Sequence, residues 1–270
     1  MKKQLKKFIG ANLKLNPVSN NSQSDLIRLL TGYVSEEVGK VPNREVAVFV
    51  PTIFLRETVV KSYIRNVGNI LAGAQEVSEH TQGAYTGDSP SPLWLTQLGI
   101  TDVLVGHSED RLRYEVLGAN PNSINTLYNK KISNALHHGL RVTYCVGETL
   151  DQKNSGRTKK TLEEQIEQGL SQVPIFDLDN LIIAYEPRWT IGTGKTPSEE
   201  DIRAAHQYSL DVLVRTCKIG DDKYKTRVIY GGGVSPENTS GLLKIPCVDG
   251  LLVGGASLDA HKFSQIVKAA

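Results

Sequence analysis

Residues 185–195 place a carboxylate directly before a glycine-rich loop. Glu186 follows the apolar run 181–184, which has the composition of a buried β-strand. Gly192 and Gly194 lie in the loop that comes next, where they can close over a phosphate. Because a carboxylate is a base and a glycine loop binds anions, the segment predicts proton abstraction from a small phosphorylated molecule. The loop would then act as the lid that excludes water during the reaction.

The chain alternates short apolar runs with stretches of helical spacing. Most of the runs are continuous, which is typical of parallel strands that are buried on both faces. Residues 24–38 and 161–173 have helical spacing, and Ser198 begins a further helix. Eight strands with intervening helices predict an α/β fold, a single-domain (β/α)8 barrel over residues 1–270. The predicted strands are Phe8 to Leu13, Glu45 to Val50, Asn69 to Gly73, Asp102 to Gly106, Arg141 to Val146, Leu181 to Tyr185, Arg227 to Tyr230 and Gly250 to Val253.

Polar side chains and glycines collect where these strands end. In a barrel those ends converge on one face, so residues far apart in sequence are expected to meet in one pocket. Asn12 and Lys14 are one side-chain alternation apart and should point into the barrel mouth together. A helix that begins after His107 would disfavour the imidazolium cation and keep the ring neutral. The residues at the strand ends are Asn12, Lys14, Gln75, His107, Glu148, Glu186 and the glycines at 231–233 and 254–255.

Glycines follow the sixth, seventh and eighth strands in three separate clusters. Such clusters are typical of a barrel's phosphate site, which is made of backbone N–H groups near a short helix N-terminus. A Cβ at these positions would block the close approach of the phosphate.

Bulk composition excludes several classes of partner. Lys and Arg outnumber Asp and Glu by only 31 to 29, so charge gives no argument for nucleic acid or for an anionic membrane. The basic start of the chain is not followed by a long apolar run, and we therefore expect neither a signal peptide nor a membrane span, and a cytoplasmic location. The three scattered cysteines argue against a disulfide framework and a zinc site. The expected partner is a small molecule.

Taken in order, the motifs of this chain resemble those of the triosephosphate isomerase family from end to end. The resemblance implies a TIM barrel, an aldose-ketose isomerase of glycolysis and gluconeogenesis, and a reaction without metal or organic cofactor. The motifs are residues 12–14 (NLK), 83–87 (GAYTG), 106–109 (GHSE), 145–148 (CVGE), 184–195 (AYEPRWTIGTGK), 230–232 (YGG) and 249–258 (DGLLVGGASL).

The same resemblance assigns roles to individual residues, and these roles are inherited from the family, which is a standard example of a glutamate base acting with a neutral histidine. Glu186 would be the general base, His107 the neutral electrophile, Lys14 the cation beside the developing oxyanion, and Asn12 a supporting donor. Supporting residues would be Glu109 as the buried partner of the lysine, Ser108 beside the histidine, and Glu148, which would engage Trp189 when the lid shuts. The substrate phosphate would be held by the backbone of Gly192, Gly233, Gly254 and Gly255.

The resemblance also implies a homodimer. Residues 78–89 resemble the protruding third loop of the family, which inserts into a neighbouring subunit near Asn12 and Lys14. Self-complementary insertion of this kind predicts a symmetric pair.

Several residues depart from the family pattern around the lid. We interpret Asp110 and Arg188 as a reciprocal exchange of charge between the loop after the fourth strand and the lid hinge. The altered lid leaves two alternatives open: a homologous branch that isomerises four-carbon keto-sugar phosphates such as erythrulose phosphate, and a non-catalytic phosphate-binding barrel. Most family members have Trp where Leu13 stands, Arg for Asp110, Val or a similar residue for Arg188, Ala for Thr190 and Ser for Gly233.

Overall fold

Eight parallel strands close into a barrel in which each strand pairs with the next along the chain and β8 pairs with β1. The structure, a computed structural model, describes residues 5–16, 32, 43–55, 70–171, 173–191, 193, 196–218 and 226–270. The (β/α)8 barrel predicted from the sequence is therefore confirmed. The strands are β1 (Lys7–Asn12), β2 (Arg44–Val50), β3 (Ile70–Ala74), β4 (Asp102–Val105), β5 (Arg141–Val146), β6 (Leu181–Tyr185), β7 (Arg227–Tyr230) and β8 (Gly250–Val253).

In the part of the chain that the structure describes, helices lie in the connections from β3 onward and after β8. The predicted helix at residues 24–38 lies, apart from Gly32, outside the described residues. In the described ranges the helices are α1 (Pro92–Gln97), α2 (Ser108–Val116), α3 (Pro121–His137), α4 (Leu150–Asn154), α5 (Thr158–Gly169), α6 (Glu199–Thr216), α7 (Pro236–Lys244) and α8 (Ala260–Ala269).

Each predicted strand is present, with bounds that differ by at most one residue; Asn69, the predicted start of β3, lies outside the described residues. The start of α6 is also confirmed, because the Ser198 side chain accepts a hydrogen bond from the Asp201 N–H. The helix predicted at 161–173 is wrong at both ends, since α5 runs over Thr158–Gly169. Leu170 and Val173 are buried without being helical, so their apolar spacing extended the prediction too far.

Strand side chains alternate between the barrel interior and the layer under the helices. In β6, Ile182 and Ala184 belong to the interior cluster, whereas Ile183 and Tyr185 pack in the outer layer. The interior cluster contains few residues and the outer cluster forms the larger core. A residue that follows Tyr185 therefore continues on the interior side, at the mouth of the barrel.

Charged side chains close the amino-terminal end of the barrel. Glu45 accepts hydrogen bonds from Arg141 and from Arg227, the latter at 2.6 Å. Arg141 also donates to Asp102 at 2.7 Å, and both guanidinium groups lie about five ångströms from the Phe8 ring, at 4.9 and 5.2 Å. Buried charges of this kind are tolerated because each has an opposite partner. These side chains fill the amino-terminal end of the barrel, so a pocket is expected at the opposite end.

His206 on α6 is buried in the outer core, and its ring meets the edge of Tyr185 at 5.8 Å. Its Nδ1 lies 3.0 Å from the Cys247 carbonyl oxygen, which can only accept, so Nδ1 carries the proton. Burial lowers the pKa of His206 to about 4. The folded protein thus binds fewer protons at this site than the unfolded chain does between pH 6.5 and 4.

We expect the free energy of unfolding to fall as the pH is lowered through this window. The His206 imidazole takes up a proton in the unfolded chain but stays unprotonated in the folded protein, so protonation favours unfolding. The shift corresponds to about 3 kcal/mol in total, most of it lost by pH 5. Urea unfolding of the protein and of His206→Gln at pH 7 and pH 5 measures the contribution. An equal loss in both proteins would contradict the assignment.

Candidate active site

Glu186 continues the alternation of β6 and lies at the mouth of the barrel, with only 2% of its surface exposed. Its N–H donates to the Val146 carbonyl at 2.7 Å, which extends the sheet pairing by one residue. Two glycines make room for it: a Cβ at Gly147 would lie 1.8 Å from the Glu186 carbonyl oxygen, and one at Gly231 would lie 2.9 Å from its Cγ. The glycines after β5 and β7 are therefore required by the position of this carboxylate.

His107 lies beside Glu186 because Gly106, with φ +75°, turns the chain at the end of β4. His107 caps α2, and its Nδ1 accepts the Glu109 N–H at 3.3 Å. A nitrogen that accepts a hydrogen bond carries no proton, so the ring is neutral with its proton on Nε2. That Nε2 lies 3.4 Å from Glu186 Oε1.

Ser108 contributes through its backbone. Its N–H, the first of α2, donates to Glu186 Oε2 at 2.9 Å. An N–H at a helix start carries partial positive charge and stabilises the carboxylate. The start of α2 thus holds the side chain of Glu186 next to the histidine.

Lys14 reaches the same mouth, although not by strand alternation. β1 ends at Asn12, and Lys14 follows in a turn with φ +50°, in the left-handed region. Asn12 Oδ1 accepts the Lys14 N–H at 3.0 Å, and the Gln75 side chain donates to the Lys14 carbonyl at 3.2 Å and to that of Phe49 at 3.1 Å. These hydrogen bonds hold the strained turn.

The Lys14 ammonium contacts Glu109, with Nζ 2.5 Å from Oε1. The predicted partner is therefore correct, but its burial is not, since 56% of the Glu109 side chain is exposed in the single chain. Glu109 lies at the rim, in the first turn of α2, where water screens the ion pair. The pair joins β1 to the same helix that carries His107.

The lid hinge is tied to β5 through Glu148. Glu148 Oε1 accepts from Trp189 Nε1 at 2.9 Å and from the Tyr185 hydroxyl at 3.2 Å, so the contact expected on lid closure is present. Burial raises the pKa of Glu148, and these two hydrogen bonds act in the opposite direction. Lys153 lies over the indole of Trp189, 4.6 Å from its centroid.

Arg188 pairs with Glu115 on α2, and the predicted exchange of charge with Asp110 is wrong. Arg188 Nη1 donates to Glu115 Oε1 at 2.7 Å, and Nη2 donates to Oε2 at 2.6 Å. Asp110 instead accepts from the Tyr128 hydroxyl at 2.9 Å, with Arg113 at 3.6 Å. Asp110 and Glu115 are five positions apart on a helix of 3.6 residues per turn, so they face different sides.

The predicted phosphate-binding glycines lie at the ends of two neighbouring strands. Gly233 follows β7, and Gly254 and Gly255 follow β8, where Gly255–Leu258 forms a short 3₁₀ helix that Gly254 caps. A Cβ at Gly254 would lie 3.5 Å from Lys14 Cε, which places the lysine beside this turn. Gly192, the fourth predicted residue, lies outside the described residues.

The remaining departures are accommodated locally. Leu13 is fully buried in the outer core. The Thr190 hydroxyl donates to the Pro187 carbonyl at 2.8 Å, within the hinge. The Gly233 carbonyl accepts from the Asn238 side chain at 2.9 Å, which links the phosphate loop to the start of α7.

Three residues were not assigned a role from sequence. Gln75 holds the Lys14 turn, Tyr185 holds Glu148, and Glu115 binds Arg188. Gln75 could have been found from the sequence, since it follows β3 at the barrel mouth. Tyr185 could have been found because it directly precedes Glu186. Glu115 carried none, because a carboxylate late in an exposed helix is usually a solvated residue.

One group among the described residues brings three possible metal ligands within 4.8 Å of one another: Glu79, His80 and Asp88. It lies in the loop after β3, away from the base. Asp88 Oδ2 accepts from the Ser78 hydroxyl at 2.5 Å and lies 3.1 Å from His80 Nδ1. These hydrogen bonds account for the group as the structural base of the loop.

No helix in the described ranges is long and apolar enough to cross a membrane.

Comparison with known proteins agrees with this geometry. The family profile described as triosephosphate isomerase matches residues 7–270. The triosephosphate isomerase of Lawsonia intracellularis is 37% identical over 265 residues, 98% of both chains. The enzymes of that name from Geotalea uraniireducens and Treponema denticola are 36% and 38% identical over 263 and 264 residues, in each case 97% of this chain and 98% of the relative. The chain belongs to the triosephosphate isomerase family.

Proposed function

We propose that this protein interconverts dihydroxyacetone phosphate and glyceraldehyde 3-phosphate through an enediolate. The observation that carries the proposal is the position of a buried carboxylate, Glu186, 3.4 Å from the Nε2 of the uncharged His107. A base beside a neutral proton donor suits the removal of a carbon-bound proton next to a carbonyl. The names of the relatives favour triose phosphate over the four-carbon branch.

In the proposed reaction Glu186 removes the proton from the carbon next to the carbonyl. Negative charge then grows on the carbonyl oxygen, where the Nε2–H of His107 and the Lys14 ammonium stabilise it. The former carbonyl oxygen takes a proton from the Nε2–H of His107, and the neighbouring hydroxyl gives up its proton to that same nitrogen, so the ring ends as it began. As that hydroxyl becomes the new carbonyl, Glu186 returns its proton to the carbon that was the carbonyl carbon. Because the electron pair stays within the two carbons and their oxygens, the reaction requires neither metal nor organic cofactor.

The carboxylate of Glu186 has to leave the Ser108 N–H before it can reach substrate, since that hydrogen bond occupies Oε2. The hydrogen bond therefore defines a resting position of the base. The substrate phosphate would bind the N–H groups of Gly233, Gly254 and Gly255 with the lid glycine Gly192, and Lys14 lies beside Gly254. A closed lid would protect the enediolate from loss of phosphate.

The substrate assay tests this function directly. Offered dihydroxyacetone phosphate, glyceraldehyde 3-phosphate and erythrulose phosphates side by side, the protein should turn over the two trioses and exchange their carbon-bound proton with solvent. A phosphate-binding barrel would bind the compounds and exchange nothing. Faster turnover of the four-carbon compounds would contradict the triose assignment.

The role of Glu186 predicts the effect of Glu186→Gln. The amide keeps the size of the side chain and cannot accept the proton, so kcat should fall by at least about 10²- to 10⁴-fold. Inhibition constants for inorganic phosphate, measured in the residual activity, should change little, because the amide leaves the phosphate loops intact. Near-normal turnover by the variant would exclude Glu186 as the base.

We further propose that the chain is one domain that works in the cytoplasm as a homodimer. Support for the domain comes from the closed barrel and the family match over residues 7–270. Support for the dimer comes from large apolar side chains exposed in the first three βα connections: Leu15, Ile53, Tyr85 and Trp94. Large apolar side chains that stay exposed in a single chain are available for an interface.

The loop at residues 78–89 is well suited to insertion into a second subunit. Residues 82–88 are exposed, while the ends of the loop are joined by the Ser78 N–H to Pro90 carbonyl bond at 2.9 Å and the Ser91 hydroxyl to Thr81 carbonyl bond at 2.6 Å. Tyr85 stacks on His80 with centroids 3.6 Å apart. A protruding loop that is ordered in advance loses little entropy on binding.

Light scattering at micromolar concentration should therefore give twice the mass of the chain. Tyr85→Asp places a charge in the proposed interface and should shift the protein toward monomers. Leu150→Asp is the matched control, because Leu150 on α4 has nearly the same exposure, 49% against 51%, and should leave the mass unchanged. A fully active monomer of the unaltered chain would contradict the proposal.

A further inference from the structure

The hinge residue Arg188 is attached to α2 by a partly buried, bidentate ion pair. Its side chain is 10% exposed, and that of Glu115 is 33% exposed. Bidentate pairing fixes the orientation of the guanidinium as well as its distance. A contact of this geometry restrains the segment that carries it more strongly than an ordinary surface ion pair would.

The two ends of α2 hold the same short segment of chain. At its start, the Ser108 N–H binds the carboxylate of Glu186 at 2.9 Å. In its last turn, Glu115 binds Arg188, two residues beyond that base. The helix also carries His107 as its cap. Base, hinge and electrophile therefore share one rigid element.

The backbone of the hinge is fixed as well. The Arg188 N–H donates to the Glu148 carbonyl at 3.0 Å, and Trp189 binds the side chain of that same glutamate. Arg188 thus lies between an attachment to β5 and an attachment to α2. Once Glu186 has left the Ser108 N–H, as the proposed reaction requires, the Arg188–Glu115 pair still joins this segment to α2. If that pair is lost, the β5 attachments remain and the fold stays intact, while the reacting position of Glu186 relative to His107 is no longer set by a common helix.

We propose that Glu115 is a positioning residue of the reaction: through its ion pair with Arg188 it sets the place of Glu186 relative to His107. Glu115 touches neither substrate nor reacting atoms. Its effect rests on the proposed isomerase function, because the distance that it controls is the one between base and proton donor. A small displacement of a base strongly lowers the chemical rate while leaving the phosphate contacts in place.

Glu115→Gln keeps the shape of the side chain and removes the charge. We expect kcat with glyceraldehyde 3-phosphate to fall about tenfold and KM to change less than about twofold. Arg188→Gln should give a similar loss, the double variant should be no worse than either single one, and Arg188→Lys should retain part of the rate. Additive losses, or unchanged kcat in Glu115→Gln, would overturn the inference.

The matched control is Glu163→Gln. Glu163 on α5 pairs with Arg215 on α6 and is 35% exposed, close to Glu115, but this pair lies on the outer helices. The control should lose no turnover. If kcat fell as much in the control as in Glu115→Gln, removing any surface ion pair would lower turnover through a loss of stability. That outcome would also overturn the inference.

A second measurement does not depend on turnover. The chain has two tryptophans, so Trp94→Phe leaves Trp189 in the hinge as the single reporter. In that background Glu115→Gln should move the Trp189 emission to longer wavelength, because a released hinge exposes the indole to water, whereas Glu163→Gln should not. If the unaltered protein fails to isomerise triose phosphates, the proposed function fails and the fluorescence still decides whether Glu115 holds the hinge.

Discussion

The closure of the barrel between β8 and β1 is the constraint on which the whole site depends. Phe8 pairs with Gly250 across this seam, and a Cβ at Gly250 would lie 2.0 Å from the Phe8 carbonyl oxygen, so the two strands can approach only because the residue is glycine. β1 leads to Lys14 and β8 leads to Gly254. The closeness of Lys14 and Gly254, 240 positions apart in sequence, is a consequence of closure.

Within the closed barrel, one helix organises the chemistry. Glu186 and Lys14 are separated by 172 positions, yet each contacts the first turn of α2, one through the Ser108 N–H and the other through Glu109. The unpaired N–H groups at a helix start favour negative charge and disfavour a cation. The same helix start therefore donates a hydrogen bond to Glu186 and takes His107 as its cap, so one element places both side chains.

The sequence predicted the strands, and it placed the candidate site residues at the strand ends, because both inferences depend on local patterns. Strands buried on both faces appear as continuous apolar runs, and the barrel topology then places whatever follows each run at one face. Lys14 shows the limit of this reasoning: it reaches the mouth through a left-handed turn held by Gln75, which no alternation rule describes. The pairing of Arg188 with Glu115 could not be predicted from the sequence either. It depends on how far α2 extends and on which side of the helix each acidic residue faces.

Asp110 shows how a departure from a family pattern can leave the chemistry in place. Its carboxylate accepts from Tyr128 on α3, whose pKa is raised chiefly by burial. The cation buried nearby also comes from α3: Lys131 donates to Glu76 at 2.7 Å, and burial raises the pKa of Glu76 to about 6. The charges behind α2 are thus balanced by α3 rather than by the segment that carries the base. The carboxylate at position 110 thus makes its contacts with Tyr128 and Arg113 and not with Glu186, His107 or Lys14.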